Sequence, residues 1–428
     1  MTIKVKGATK TGVAAGFVGL ALESTQLGSP ILDPAQSNLP SFLALLGPGN
    51  LRVGGQTSEQ NVAWVSGPTS PLPGWASSSN YPSQLTPLAS LAHVTGWSVD
   101  LGVNLLHYSA TAATGEVQAA HAALGASLHA VEIGNEPDLY SVIGAPTSEA
   151  QYITYRNTAM AAITAGTPGV AFAGPDFYLS NWLPGFTKAY GKGLSEFTQH
   201  FYPAESCFGN PVSVSDLLSQ ASITLEDNTI AQSQSAARAN HLPVVLDELN
   251  SVSCGSSQPV IREFASALWA VHALLEAAAQ GVASVNIQTT PGNCNSYTPL
   301  CVPDQGAPGT LVARPIFSGM QLVSSLDGGT ILRTAVTSTT ALPTGVSDYA
   351  VRLPTGKVAV VVINTTANDL TQLNLTLTKT SQLASTTSLK AASLDATSGI
   401  TLTTSPSTGV PAGLTVPAGS AEVFTVTP

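Results

Sequence analysis

Val131-Glu132-Ile133-Gly134-Asn135-Glu136-Pro137-Asp138 is an apolar run that stops on a carboxylate. Read as a strand, its side-chain period of two puts Glu132, Gly134 and Glu136 on one face. Pro137 stops the strand and disfavours helix for Glu136. In a closed parallel barrel that face points inward, and residues at the C-terminal strand end reach the mouth. A second run has the same form. Pro243-Val244-Val245-Leu246-Asp247-Glu248-Leu249-Asn250-Ser251 ends on Glu248, which shares parity with Val244 and Leu246, while Asp247 is expected to point the other way.

Working outward, the first two-thirds of the chain alternates short apolar runs with helix-like segments. Eight runs read as buried strands: 17–23, 50–55, 97–104, 130–136, 170–177, 197–202, 243–250 and 283–289. Most are near-continuously apolar, as expected of strands covered on both faces. Helical stretches are expected at 111–124, 148–165, 213–240 and 259–280. Ser148 is a possible cap for the second, with Tyr152, Tyr155 and Met160 roughly on one stripe. Eight β/α alternations predict an α/β fold of the (β/α)8 TIM-barrel type. The runner-up, a doubly wound open sheet, lacks a Gly-rich dinucleotide turn after the first strand.

After about Arg314 the texture changes. Residues 334–428 are rich in Thr, Val, Leu and Ser, alternate at 349–353, and read as strands at 357–364 and 423–426. This predicts a β-sandwich. Residues 2–6 alternate like an edge strand and are expected to join it. Asn364 and Asn374 lie in N-x-T sequons, which are more often unused than glycosylated.

Composition narrows the function. The chain has 428 residues, 43% of them apolar and only 9% charged, with a net charge of -10. Its 15 Lys and Arg form no cluster, so it lacks the basic face that a nucleic-acid partner requires. No window has the uninterrupted apolar length of a membrane span. The run 11–22 is glycine-punctuated and reads better as a strand than as a signal segment. The low-charge surface suggests a secreted or periplasmic protein whose signal is absent from this chain. Four cysteines, Cys207, Cys254, Cys294 and Cys301, allow three pairings. Cys294 and Cys301 are close enough to staple one loop, leaving Cys207 to Cys254; four free thiols is the alternative. Seven His residues show no paired ligand spacing, so neither metal nor cofactor is implied.

Two carboxylates at the ends of the fourth and seventh strands are what hydrolysis of a glycoside needs, flanking one bond. Glu136 is the candidate acid/base and Glu248 the candidate nucleophile. Either alone could be a salt-bridged or capping carboxylate; the pair, with Asn135 beside Glu136, favours chemistry.

These residues match a family pattern. With Leu51-Arg52-Val53-Gly54-Gly55, Gly134-Asn135-Glu136-Pro137, Gln199-His200-Phe201-Tyr202, Asp247-Glu248-Leu249-Asn250-Ser251 and Ala313-Arg314-Pro315-Ile316-Phe317-Ser318-Gly319, the chain resembles clan A glycoside hydrolases. More narrowly it resembles family 79, the β-glucuronidase and heparanase family, on the side of bacterial exo-β-glucuronidases. The Asn-Glu-Pro piece is shared across the clan; the combination narrows it to the family. The resemblance implies a barrel at 13–314 joined to a sandwich built from 1–12 and 315–428. It also implies double displacement through a covalent glycosyl-enzyme, releasing terminal β-D-glucuronic acid. Asn135 would bond the sugar 2-hydroxyl, Tyr202 would orient Glu248 or touch the sugar carboxylate, and Glu23 would bind sugar hydroxyls. Tyr297, with the backbone amides of 292–296, would sit near the carboxylate. Arg52 would support the nucleophile, and His200 would be a supporting rather than a proton-abstracting histidine. The bland readings are a packed Tyr202, a Glu23 that serves as structural partner of Arg52, and an exposed Tyr297. One departure stands out. Heparanase-type members carry a Tyr shortly after the nucleophile strand, where this chain has Asn250-Ser251-Val252-Ser253-Cys254-Gly255. That favours exo-action over heparanase-like endo-cleavage. A hydrolase of a neutral sugar and a non-catalytic carbohydrate-binding protein are the other readings. The expected partner is a carbohydrate, with no nucleic acid and no membrane, bound by a monomer.

Overall fold

The computed structural model describes residues 1–428 apart from 143, 145, 180, 186–192, 256, 257, 338–341 and 379. Eight parallel strands close into a barrel in chain order: Val18–Glu23, Asn50–Gly54, Ser98–Val103, Leu128–Ile133, Phe172–Phe177, Glu196–Phe201, Val244–Leu249 and Ser284–Thr289. All eight fall on the apolar runs read from the sequence. They are buried along nearly their whole length, so that even the polar positions of Ser98–Val103, Glu196–Phe201 and Ser284–Thr289 are largely enclosed.

The expected helices form with local adjustments. Ala110–Leu124 is capped by Ser109, and Glu149–Gly166 by Ser148, whose side chain accepts from the Gln151 amide. Within the second, Tyr152 is buried but Tyr155 is 40% exposed, so the expected stripe does not hold. Tyr155 is three positions from Tyr152, but the core-facing row here is Tyr152, Arg156, Ala159 and Ile163. The stretch 213–240 is two helices, Val214–Leu217 and Gln220–Arg238, because Ser219 caps the second. The stretch 259–280 is a 3-10 turn, Pro259–Arg262, followed by the helix Ala265–Gln280.

A second, mostly antiparallel sheet has nine strands. Their order is Thr401–Pro406, Gln382–Lys390, Ser420–Thr427, Val358–Asn364, Val346–Arg352, Gly329–Thr337, Thr2–Val13, Leu370–Thr376 and Leu414–Val416. The N-terminal strand therefore joins this sheet, but in its interior and not at its edge. It runs antiparallel to Gly329–Thr337 on one side and parallel to Leu370–Thr376 on the other. Its alternating polar residues resembled an edge because its outward face meets solvent.

The strand Val358–Asn364 shows how the two parts join. Val358, Val360 and Val362 pack with Ile3, Leu373 and Phe424 in the core of the second sheet, whereas Ala359, Val361 and Ile363 belong to the barrel's core. Between them lies Ala265–Gln280, apolar almost all round because it is covered on both sides. Tyr349 from the sheet reaches it, with its hydroxyl 3.0 Å from His272 Nδ1 and 2.9 Å from Glu276 Oε2. Asn364 is fully buried and its amide donates to the carbonyls of Asn368, Val416 and Pro417, so this sequon takes no glycan in the folded chain. No helix of the described residues is long and apolar enough to cross a membrane.

Helix Pro315–Ser324 packs on Ala265–Gln280 so closely that a Cβ on Gly319 would lie 2.3 Å from the Ala267 carbonyl oxygen. That neighbour is backbone and cannot give way. Gly319→Val is expected to destabilise the chain by at least about 1–3 kcal/mol, read from the midpoint of urea unfolding.

Candidate active site

The two carboxylates meet at the C-terminal end of the barrel, but regular strand geometry does not bring them there. The fourth strand ends at Ile133, and Gly134 (φ 88°) and Glu136 (φ 50°) both take left-handed backbone. The period-two argument therefore stops before Glu136. For a non-glycine residue ahead of proline this conformation is strained. It is held by the Glu136 amide donating to the Asp176 carbonyl at 2.9 Å, and by the Leu139 amide donating to the Glu136 carbonyl. The resulting turn swings the Glu136 carboxyl into the mouth, with its side chain 18% exposed.

In the seventh strand the expectation for Asp247 is overturned. Val245 pairs with Thr198 and Glu248 with His200, which leaves one extra residue between them. This bulge lets neighbouring residues turn to the same side. Asp247 and Glu248 both reach the interior: Asp247 Oδ2 lies 3.3 Å from Arg52 Nε and 3.4 Å from His200 Nε2.

Arg52, fully buried on the second strand, is the hub. Its Nε donates to Glu132 at 2.7 Å, one terminal nitrogen to Glu248 Oε2 at 2.8 Å, and the other to Asn135 Oδ1 at 2.9 Å. Burial by itself would weaken its hold on the proton, but Glu132, Asp247 and Glu248 outweigh that and raise its pKa further. Tyr202 donates to the other oxygen of Glu248 at 2.8 Å. Both oxygens of Glu248 are thus held. His200 Nδ1 lies 2.9 Å from Glu136 Oε1. Burial opposes a charge on His200, but Glu248 and Asp247 keep its pKa well above the usual imidazole value. Single ligating atoms of Glu136, His200 and Glu248 all lie within 4.8 Å of one another. The set could grip a metal ion, yet each member already has a partner inside the group.

Glu23 ends the first strand as expected. Its carboxylate is held by the Thr57 amide and hydroxyl (2.8 and 2.6 Å) and by Gln288 Nε2 (3.1 Å), not by Arg52. Burial, then the charge of Glu248, raises its pKa. Tyr297 is not an exposed loop residue: its ring meets that of Tyr202 edge-on at 6.0 Å. Tyr178, not singled out in the sequence, flanks Tyr202 on the other side at 6.2 Å. The disulfides are Cys207–Cys254 and Cys294–Cys301. The first ties together the loops after strands six and seven, and the second closes the loop that carries Tyr297.

Two acids were invisible as site residues. Glu59 lies in Gln56–Gln60, a polar segment that reads as surface helix. It is buried and accepts from the amides of Leu105, Leu106 and Asn135, which locks the ends of strands three and four together. Asp138 accepts from the amides of Tyr178 and Leu179. Its place after Asn135-Glu136-Pro137 was the one signal available.

No family model matches the chain, and no curated protein matches it. Solved structures do match in fold. A 4-O-α-L-rhamnosyl-β-D-glucuronidase from Fusarium oxysporum 12S is 19% identical, with a TM-score of 0.80, covering 99% of this chain and 100% of that one. A GH51 arabinofuranosidase from Xanthomonas axonopodis pv. citri is 12% identical, with a TM-score of 0.76 and full coverage of both chains. An α-L-arabinofuranosidase from Thermotoga maritima is 15% identical, with a TM-score of 0.75 and 99% coverage of each. The shared architecture is thus a barrel with an attached β-sandwich, along the whole length of each chain.

Two measurements check the site's electrostatics. Arg52→Met leaves several buried carboxylates without their cation and is expected to cost about 3–5 kcal/mol in urea unfolding; adding Glu132→Gln recovers part of the loss. Burial pushes Glu59 up to about 7 and Asp138 up to about 7. Both bind protons more tightly folded than unfolded, so the stability they contribute is complete below the ordinary carboxylate range and is lost as pH rises toward 7 and beyond. The melting temperature is expected to fall between pH 5 and pH 8, and Glu59→Gln to flatten that slope.

Proposed function

We propose that this chain is a retaining glycoside hydrolase that releases terminal β-linked glucuronic acid. The observation that carries the reaction type is the approach of the Glu136 and Glu248 carboxylates, whose oxygens come within 4.8 Å. At about 5 Å the second carboxylate attacks the anomeric carbon directly, whereas an inverting pair leaves about 6.5–9.5 Å for a water molecule.

The roles follow from the surroundings. Glu136, the more open of the two, gives a proton to the glycosidic oxygen as the aglycone leaves. Glu248 attacks the anomeric carbon and forms a glycosyl ester. Water then attacks the anomeric carbon and gives its proton to Glu136, now a carboxylate oriented by His200, while the ester bond to Glu248 breaks and the sugar leaves. Arg52 and Tyr202 hold one oxygen of Glu248 each and aim its carboxylate. Asn135, fixed through its side-chain oxygen by Arg52, is placed to meet the sugar 2-hydroxyl. Glu23 would receive sugar hydroxyls, and Tyr297 with the loop amides of 292–296 the sugar carboxylate.

The choice of sugar rests on the family resemblance of the motifs and on a fold neighbour named as a rhamnosyl-glucuronidase. The neighbours named as arabinofuranosidases favour a second reading, a neutral sugar. The two disulfides support an exported protein, since such bonds persist in oxidising compartments.

Release of 4-nitrophenol from its β-glucuronide is expected to exceed release from the β-glucoside, β-xyloside and α-L-arabinofuranoside. Glu136→Gln and Glu248→Gln are each expected to lower turnover by about 10²-fold or more. NMR of the nascent sugar should show the β-anomer first. Unchanged turnover in both variants overturns the catalytic assignment, the α-anomer first overturns retention, and preference for a neutral glycoside overturns the sugar.

A further inference from the structure

We propose that Asp100, His129 and Glu196 form a binding site for one divalent transition-metal ion of the zinc or manganese class, at the end of the barrel opposite the catalytic mouth. Asp100 comes from the third strand, His129 from the start of the fourth and Glu196 from the start of the sixth. His129 is placed by a bulge. Val99 pairs with Leu128 and the next residue, Asp100, pairs with Ala130, so His129 has no opposite number. A bulge takes a side chain out of the strand's alternation, and here it turns the imidazole onto the two acids. His129 Nδ1 lies 3.0 Å from Asp100 Oδ1 and 3.7 Å from Glu196 Oε1, and the three atoms all lie within 4.8 Å of one another. An ion bonded at about 2.0–2.2 Å to nitrogen and oxygen needs ligand atoms at about this mutual spacing.

The charge balance points the same way. Glu196 is only 7% exposed, and among the described residues no hydrogen bond reaches its carboxylate. Its ion pair with His129 is loose at 3.7 Å, and a largely buried carboxylate gains from a closer cation. Its further acidic neighbours, Glu132 and Asp247, are already paired with Arg52, so Asp100 and Glu196 set two carboxylates against the one imidazole. The group is short of positive charge, which a dication supplies. The His129 side chain is 46% exposed, so an ion can enter and waters can complete its coordination. One imidazole and two carboxylates suit zinc or manganese better than a soft copper site or the six to eight oxygens of calcium. Ligand spacing along the chain gave no sign of the site, because three strands contribute one residue each.

The test uses the full chain, stripped with a chelator and titrated with ZnCl2 or MnCl2 by calorimetry and thermal unfolding, with CaCl2 and MgCl2 as comparison arms. One equivalent should bind, and the melting temperature should rise by a few degrees. His129→Ala and the near-isosteric Glu196→Gln should each weaken binding at least tenfold. Glu136→Gln, which alters the other three-ligand group at the catalytic mouth, should leave binding unchanged. Three results overturn the proposal. The first is no binding. The second is binding that survives His129→Ala and Glu196→Gln but is lost in Glu136→Gln. The third is a metal-independent loss of stability in His129→Ala with no metal-induced shift in the unaltered chain, which leaves an ion pair only.

Discussion

The guanidinium of Arg52 is the constraint on which the C-terminal end of the barrel, with its candidate site, depends. It bonds Glu132 on the fourth strand, Asn135 just after it and Glu248 on the seventh, and it lies beside Asp247. Charges this deeply buried are costly to desolvate, and they are tolerated only when each finds a well-placed opposite or a hydrogen bond. One planar group with its donors in a fixed fork meets that demand for several acceptors at once, which a lysine ammonium could not do. Room for it comes from small residues. A Cβ on Gly102 would fall 2.9 Å from the Gly54 Cα, so neither glycine could carry a side chain into the layer that Arg52 occupies.

Around this hub, two departures from regular backbone do the aiming. The left-handed residues at Gly134 and Glu136 turn one carboxyl into the mouth, and the bulge before Glu248 brings the other onto the same side as Asp247. An ideal barrel would have shown one of each neighbouring pair to the helices. The turn is pinned from outside the strand that it ends. Asp176 holds the Glu136 amide, and Glu59 holds the Asn135 amide through a carboxylate buried beneath the turn. Local strain of this kind persists only where the surrounding structure over-determines it, and it gathers at functional sites.

The second sheet contributes at a distance. It covers the helices Ala265–Gln280 and Pro315–Ser324, which lie on either side of the eighth strand in sequence, and buries its own strand Val358–Asn364 on both faces in doing so. The side of the barrel that carries Glu248 is therefore backed by two packed layers. The loops that complete the mouth are fastened by covalent links, Cys207–Cys254 and Cys294–Cys301.

How much of this was legible in the sequence can be judged residue by residue. The eight barrel strands were readable because strands buried on both faces are mostly apolar, Glu136 and Glu248 stood out because they end such runs, and Arg52 was singled out only through the family motif that carries it. The disulfide pairing stayed open among the four cysteines: spacing suggested a Cys294–Cys301 staple, and only the structure decided both pairs. Asp247 was misplaced and Glu59 overlooked for one shared reason. A bulge and a long-range carboxylate-to-amide bond depend on neighbouring strands, and neither leaves a periodic mark in the chain. The interior position of Thr2–Val13 escaped for the same cause, since a strand's neighbours come from pairing and its own residues report only which face is wet. The sequence by itself determined which segments are strands and which acids stand near their ends, because burial writes itself into local composition. Only the tertiary structure decided which acids share a space and how far apart they sit, because those distances are set by closure of the barrel and by the contacts it makes between distant parts of the chain.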